Sequence, residues 1–287
     1  MKLATVTHDG VTKAGSVEGE NLAVRATGEP AVSWVEAIVQ SGMDFSEAPV
    51  LEEIPLAAVR YLSPIPKPRN ALICVGKNYY DHAEEFRGSG FDASAGSAIP
   101  EEPIIFSKAS SSVVGHGARI RAGIDPTGSV DYEGELGVVI GREAFAIPVE
   151  RAYEVVFGYT IINDVTSREL QRKHQQWFIG KSLDTFGPMG PWIVTADEID
   201  DVAAMRLETH VNGDLRQSVL VRDLIFDIPR IISTLTATQT LRAGDIIATG
   251  TPAGVGIGST PPRYLEPGDV VKVRITGLGE LENPVAD

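Results

Sequence analysis

The sequence predicts a β-dominated α+β protein, and three observations predict it. Short apolar or alternating runs rich in β-branched residues recur between Gly, Pro and Asp turns, at residues 103–107, 132–140, 155–162, 207–211 and 270–275. Helical periodicity is confined to brief stretches such as 32–40 and the segment around His82. The 287 residues are 43% hydrophobic and 22% charged, the balance of a chain that buries a sizeable core, which excludes a disordered or fibrous protein.

The N-terminal part opens with strand-like pieces at 2–6 and 22–25 and a helical pattern between them and the run Ser63-Pro64-Ile65-Pro66-Lys67-Pro68. Proline holds itself and its predecessor in extended geometry, so this run marks a boundary between a small N-terminal domain, 1–65, and a larger C-terminal domain, 66–287. Glycine and serine are dense over 88–97, which predicts a flexible surface segment and a candidate lid. No fixed-period repeat or heptad pattern is present.

Acidic residues number 39 against 25 Lys plus Arg, and the formal charge of -14 opposes attraction to phosphate backbones or anionic lipid, so nucleic-acid and membrane partners are not expected. The one cysteine, Cys74, lies in an apolar run at 71–75 and reads as a buried thiol of a reducing compartment. No run approaches the ~18 apolar residues of a membrane span, and a cytoplasmic location is expected.

Several chemistries are missing. Gly180-Lys181-Ser182 lacks the glycine of a phosphate loop five positions earlier, where Gln175 stands. The glycines at 250–256 follow a strand but precede no helical pattern, so they read as a turn and not as a dinucleotide fingerprint. No Gly-x-Ser-x-Gly elbow or zinc-protease histidine pair occurs.

Acidic side chains carry the positive signal. Over 131–140 strand alternation puts Tyr132, Leu136, Val138 and Ile140 on one face and Asp131, Glu133 and Glu135 on the other. A solvated edge face would tolerate such charges; inside a cleft they would repel one another and require a cation. The apolar run at 155–162 then ends in Asn163-Asp164, and an acid at the end of a buried strand needs a partner. Glu133, Glu135 and Asp164 offer three hard oxygen ligands without histidine or cysteine, a set that suits Mg2+ or Mn2+. His82 and Glu85, three apart on a short helix, share a face and can form an oriented general base, or equally an ordinary surface pair. Lys181 by itself is equally open to a solvated reading.

The order Cys74-Val75-Gly76-Lys77-Asn78-Tyr79 with His82, Asp131-Tyr132-Glu133-Gly134-Glu135, Asn163-Asp164-Val165-Thr166-Ser167-Arg168, Gly180-Lys181-Ser182-Leu183-Asp184-Thr185 and Thr249-Gly250-Thr251-Pro252 resembles the fumarylacetoacetate hydrolase family from about residue 73 onward. The resemblance implies a mixed β-sandwich roll carrying the small N-terminal domain, assembled as a homodimer, with one divalent metal per site. It makes Glu133, Glu135 and Asp164 the metal ligands, His82 with Glu85 the water-activating pair, and Lys181 the lysine facing developing negative charge. Gln171 and Thr251 become substrate contacts, with Thr185 near the metal. The implied reaction is hydrolysis of a C–C bond in a 2,4-diketo acid of acylpyruvate or fumarylpyruvate type, giving pyruvate and a carboxylic acid. Oxaloacetate decarboxylation and 2-hydroxydienoate isomerisation pass through the same enolate and stand as alternatives. The intact residue set opposes a noncatalytic ligand-binding role. The N-terminal part is shorter than in the eukaryotic members, and pocket selectivity is not legible.

Overall fold

The computed structural model describes residues 1–25, 48–89 and 99–287. The helical pattern expected at 32–40 lies outside them, as does the Gly/Ser-rich stretch beyond Ser89. Four strands form an N-terminal meander: β1 (Lys2–His8), β2 (Val11–Glu18), β3 (Asn21–Arg25) and β4 (Val50–Pro55). The chain continues through β5 (Leu72–Gly76), helix α1 (Tyr80–Gly88), β6 (Ile104–Lys108), β7 (Gly134–Ile140) and β8 (Val156–Asn163). Helices α2 (Arg168–His174) and α3 (Phe178–Lys181) precede β9 (Gly187–Thr195), β10 (Arg206–Val211) and β11 (Asp214–Leu220). Helix α4 (Ile228–Thr236), β12 (Ile246–Ala248), β13 (Val270–Ile275) and β14 (Gly279–Ala286) complete it.

The strands make a β-dominated fold with mixed sheets. A twelve-stranded sheet runs β4-β3-β2-β1-β9-β8-β7-β12-β5-β6, with the two-residue strands 60–61 against β1 and 113–114 against β9 making up the number, so the N-terminal meander continues the same sheet through the β1–β9 pairing. A five-stranded sheet runs β11-β10-β13-β14 and ends on Ile120–Arg121. Strand β7 runs inside the larger sheet between β8 and β12 and is buried along its whole length. Leu136, Val138 and Ile140 pack toward Leu207, Val273 and Ile275 of the second sheet and Ile231 and Ile232 of α4. Val139 packs the other way, with Leu72, Cys74 and Ile246. Burial on both faces is why this segment is a near-continuous apolar run after Glu135 and not a simple alternation.

Register brings four strand ends together. Antiparallel pairing sets Gly134 opposite Asn163 and Gly137 opposite Ala248, and parallel pairing sets Ala248 beside Cys74. The start of β7 and the ends of β8, β12 and β5 therefore meet at one edge. Asn78 ties this edge down: fully buried, its side chain donates to Thr249 O at 2.7 Å and Phe226 O at 3.0 Å and accepts from Phe226 N at 2.8 Å. Asn78→Ala strands three buried main-chain groups and should lower unfolding free energy by about 3 kcal/mol in urea titration.

Candidate metal and substrate site

The acidic trio sits at the converging edge. One carboxylate oxygen from each of Glu133, Glu135 and Asp164 lies within 4.8 Å of the others, and all three residues are buried. The expected continuous strand over 132–140 begins only at Gly134, because Glu133 leaves the ladder: its N–H donates to Asn163 Oδ1 at 3.0 Å and its carbonyl accepts from Asp164 N at 2.8 Å. That break aims Glu133 across at Asp164, while Glu135 enters from the first turn of the ladder.

Asp131 does not share the face expected for it. It pairs with Val130 in a two-residue strand against Thr166–Ser167, and its carboxylate faces Arg168 Nε at 2.9 Å and the N–H groups of Gly256 and Ile257 at 2.7 and 3.0 Å. The cation that settles Asp131 is thus a guanidinium, and its work is to fasten the 256–257 turn.

Three basic side chains, all buried, surround the trio. Lys181 Nζ donates to Glu133 Oε2 and Asp164 Oδ2, both at 2.7 Å. Lys108 Nζ lies 2.6 Å from Asp164 Oδ1 without hydrogen-bond alignment and donates to Val165 O at 3.0 Å. Arg168 Nη1 reaches Glu133 Oε1 at 2.6 Å, and among the described residues its Nη2 has no acceptor. Sequence reading missed Lys108 and Arg168. Their signals were a lysine closing the apolar strand β6 and an arginine four residues after Asp164.

Glu135 differs from its neighbours. Among the described residues no basic side chain contacts it, and it accepts only the Gly250 N–H at 2.8 Å. Burial and the nearby Asp164 and Glu133 charges push its carboxyl well above the usual range. Burial pushes Glu133 the same way, but Lys181 and Arg168 outweigh it and leave that carboxyl at about 2. Burial lowers the Lys181 ammonium while Asp164 and Glu133 raise it, with a net upward shift. Clustered oxygen donors, one of them a buried carboxylate lacking a positive partner, fit a hard divalent cation.

The other expected site residues split. His82, on α1, places Nδ1 3.4 Å from Glu85 Oε2. The Glu85 carboxylate is itself held by the Gly254 N–H at 3.0 and 3.2 Å, and a Cβ at Gly258 would meet Glu85 Oε1 at 1.9 Å. His82, Gln171, Lys181 and Thr251 line one pocket with Glu133 and Glu135, and Phe86, Phe106 and Trp177 wall it. Lys77 also lines it, at a φ of 54°, a left-handed conformation that turns the chain from β5 into α1. Trp177 stacks over Gly76, where a Cβ would lie 2.4 Å from the ring. Thr185, expected near the metal, instead lines a separate cleft with Arg60 and Arg119 and accepts the Arg121 N–H at 2.9 Å. Its left-handed φ of 71° turns it there.

The chain is similar to known proteins in both sequence and fold. The family described as Fumarylacetoacetate (FAA) hydrolase C-terminal matches residues 71–286. Oxaloacetate tautomerase YisK of Bacillus subtilis (strain 168) is 50% identical over 230 residues, 80% of this chain and 74% of that protein. The solved fumarylacetoacetate hydrolase from psychrophilic Exiguobacterium antarcticum has a TM-score of 0.83 and 41% identity, covering 100% of this chain and 99% of that one. Maleylpyruvate hydrolase from Sphingobium sp. SYK-6, solved in complex with manganese (II) ion and pyruvate, has a TM-score of 0.79 and 29% identity with the same coverage.

Two variants separate the acids by their surroundings. Glu135→Gln should weaken Mn2+ binding at least tenfold by calorimetry while the metal-free melting temperature holds or rises, since a buried carboxylate without a cation is removed. Asp131→Ala should instead lower metal-free stability by about 3–5 kcal/mol, because it leaves the Arg168 charge half-unpaired.

Proposed function

Because the chain belongs to the fumarylacetoacetate hydrolase family, we propose that it is a divalent-metal-dependent tautomerase interconverting the keto and enol forms of oxaloacetate or a similarly short 2-oxo diacid. The observation that carries the reading is a base and two acids of the buried trio in one pocket: His82, backed by Glu85, shares its walls with Glu133 and Glu135. The high identity to an oxaloacetate tautomerase supports the substrate class. So do the aromatic walls of Phe86, Phe106 and Trp177, which favour a short substrate.

Mg2+ or Mn2+, held by Glu133, Glu135 and Asp164, would supply electrophilic pull on the keto oxygen and so acidify the adjacent C–H. The chain's own residues move the proton. With Nδ1 turned to Glu85, His82 is left with Nε2 to accept a proton from the carbon next to the keto group. The electron pair of that C–H bond forms the C=C bond of the enol, and the keto π pair becomes the oxygen's. Protonation of this oxygen completes the exchange, with no change in composition. Lys181 adds positive potential beside the developing oxyanion, and Arg168 Nη2, without an acceptor among the described residues, is a donor for a substrate carboxylate.

Hydrolysis of an acylpyruvate or fumarylpyruvate is the second reading. It is favoured by the Gly254 N–H anchoring Glu85, since a base that must deprotonate water gains from a fixed partner. The similarity to maleylpyruvate hydrolase supports it too.

The deciding assay follows Mn2+-loaded protein with enol oxaloacetate by ultraviolet absorbance, beside fumarylpyruvate, an acylpyruvate and a 2-hydroxydienoate. Enol-to-keto conversion should outpace pyruvate release from every substrate, and His82→Ala should lose at least about 100-fold in kcat. A higher kcat/KM for fumarylpyruvate cleavage would replace the tautomerase by the hydrolase.

A further inference from the structure

Gln217, on β11 and 1% exposed, joins two parts of the pocket that no sequence motif connects. Its Oε1 accepts the N–H of Gly134, the residue between Glu133 and Glu135, at 3.0 Å. Its Nε2 donates to Pro252 O at 2.7 Å and to Thr251 Oγ1 at 2.8 Å. A backbone N–H can only donate and a backbone carbonyl can only accept, so two main-chain groups fix which end of the amide is oxygen and which is nitrogen. The direction of the third bond is then also fixed: Thr251 accepts.

A hydroxyl carries one proton and two lone pairs. With Gln217 occupying a lone pair, the Thr251 proton must go elsewhere, and among the described residues no acceptor takes it. Thr251 is 3% exposed and stands on the wall of the pocket that holds Glu133 and Glu135. The pocket's occupant is the acceptor this geometry leaves.

We propose that Gln217 is a positioning residue: it holds the Thr251 hydroxyl as a hydrogen-bond donor to an anionic oxygen of a 2-oxo acid. Through Gly134 it keeps that donor in register with the two glutamates. The role rests on reading the pocket as a 2-oxo acid site. It goes beyond that reading because Gln217 itself does not line the pocket.

The test measures binding of oxalate, which presents paired carboxylate oxygens and is not turned over, to Mn2+-saturated protein by calorimetry. Gln217→Met and Thr251→Val should each weaken oxalate about tenfold, the scale of one hydrogen bond to a charged group. The double variant should also lose about tenfold, not a hundredfold, because one interaction is removed twice. Thr251→Ser, which keeps the hydroxyl, should bind like wild type. Losses that multiply in the double variant, or wild-type affinity in Gln217→Met, would overturn the role. If Gln217→Met does not fold, equal oxalate affinity in wild type, Thr251→Ser and Thr251→Val overturns it equally. Because oxalate binding is read without turnover, an enzyme inactive on oxaloacetate but showing this coupling retains the Gln217 role and loses the assigned reaction.

Discussion

Burying Asp131, Glu133, Glu135 and Asp164 together with Lys108, Arg168 and Lys181 is the constraint on which the rest of the structure depends. Each ion taken from water costs several kcal/mol, and the cost is recovered only where partners are close and remaining lone pairs are bonded. Main-chain groups are therefore spent on the acids: the 256–257 amides on Asp131, the Gly250 amide on Glu135, the Gly254 amide on Glu85. The loop following β12 supplies all of them, which explains why residues 250–258 carry several glycines and no α-helix. At Gly258 and Gly256 a Cβ would strike Glu85 Oε1 at 1.9 Å and Asp131 Oδ1 at 2.7 Å, so the loop approaches the carboxylates only as bare backbone.

Much of this was legible in the sequence. The strands at 270–275, 207–211 and 155–162 were visible from period and β-branching, because cores on both sides select the same residue types the eye counts. The trio was visible because Glu133 and Glu135 stand two apart and Asp164 terminates an apolar run. What alternation could not show was the break at Glu133, since it depends on Asn163 taking a ladder N–H from another strand. Hence Asp131 was placed beside its acidic neighbours, where its true partner, Arg168, lies 37 positions away.

The partners of Lys108 and Gln217 were illegible for the same reason. A lysine ending a strand reads as a solvated cap, and a glutamine in an alternating hairpin reads as a polar face. Only the fold brings Lys108 to Asp164 and Gln217 to Gly134, across 56 and 83 positions of chain respectively. Residue type tells what a side chain can do, whereas long-range pairing decides what it does. The Thr185 expectation failed on this point: its type suits an oxygen ligand, but its backbone turns it toward Arg121.

The charge count of the cluster also bears on the chemistry. With all four acids ionised, four against three bases leave one negative charge in excess, and among the described residues the acid without a basic partner is Glu135. A divalent cation placed there would reverse the sign and leave this cluster net positive in surroundings of low effective dielectric. Such a site attracts an anionic substrate although the chain as a whole carries -14. It also penalises a neutral one, which cannot repay the desolvation of that charge. Selection for the proposed 2-oxo acid would therefore begin with electrostatics at the centre, before any contact from the walls. The walls then have a narrower task, for which a fixed hydroxyl polarity at Thr251 is suited: distinguishing how the anion's oxygens are presented.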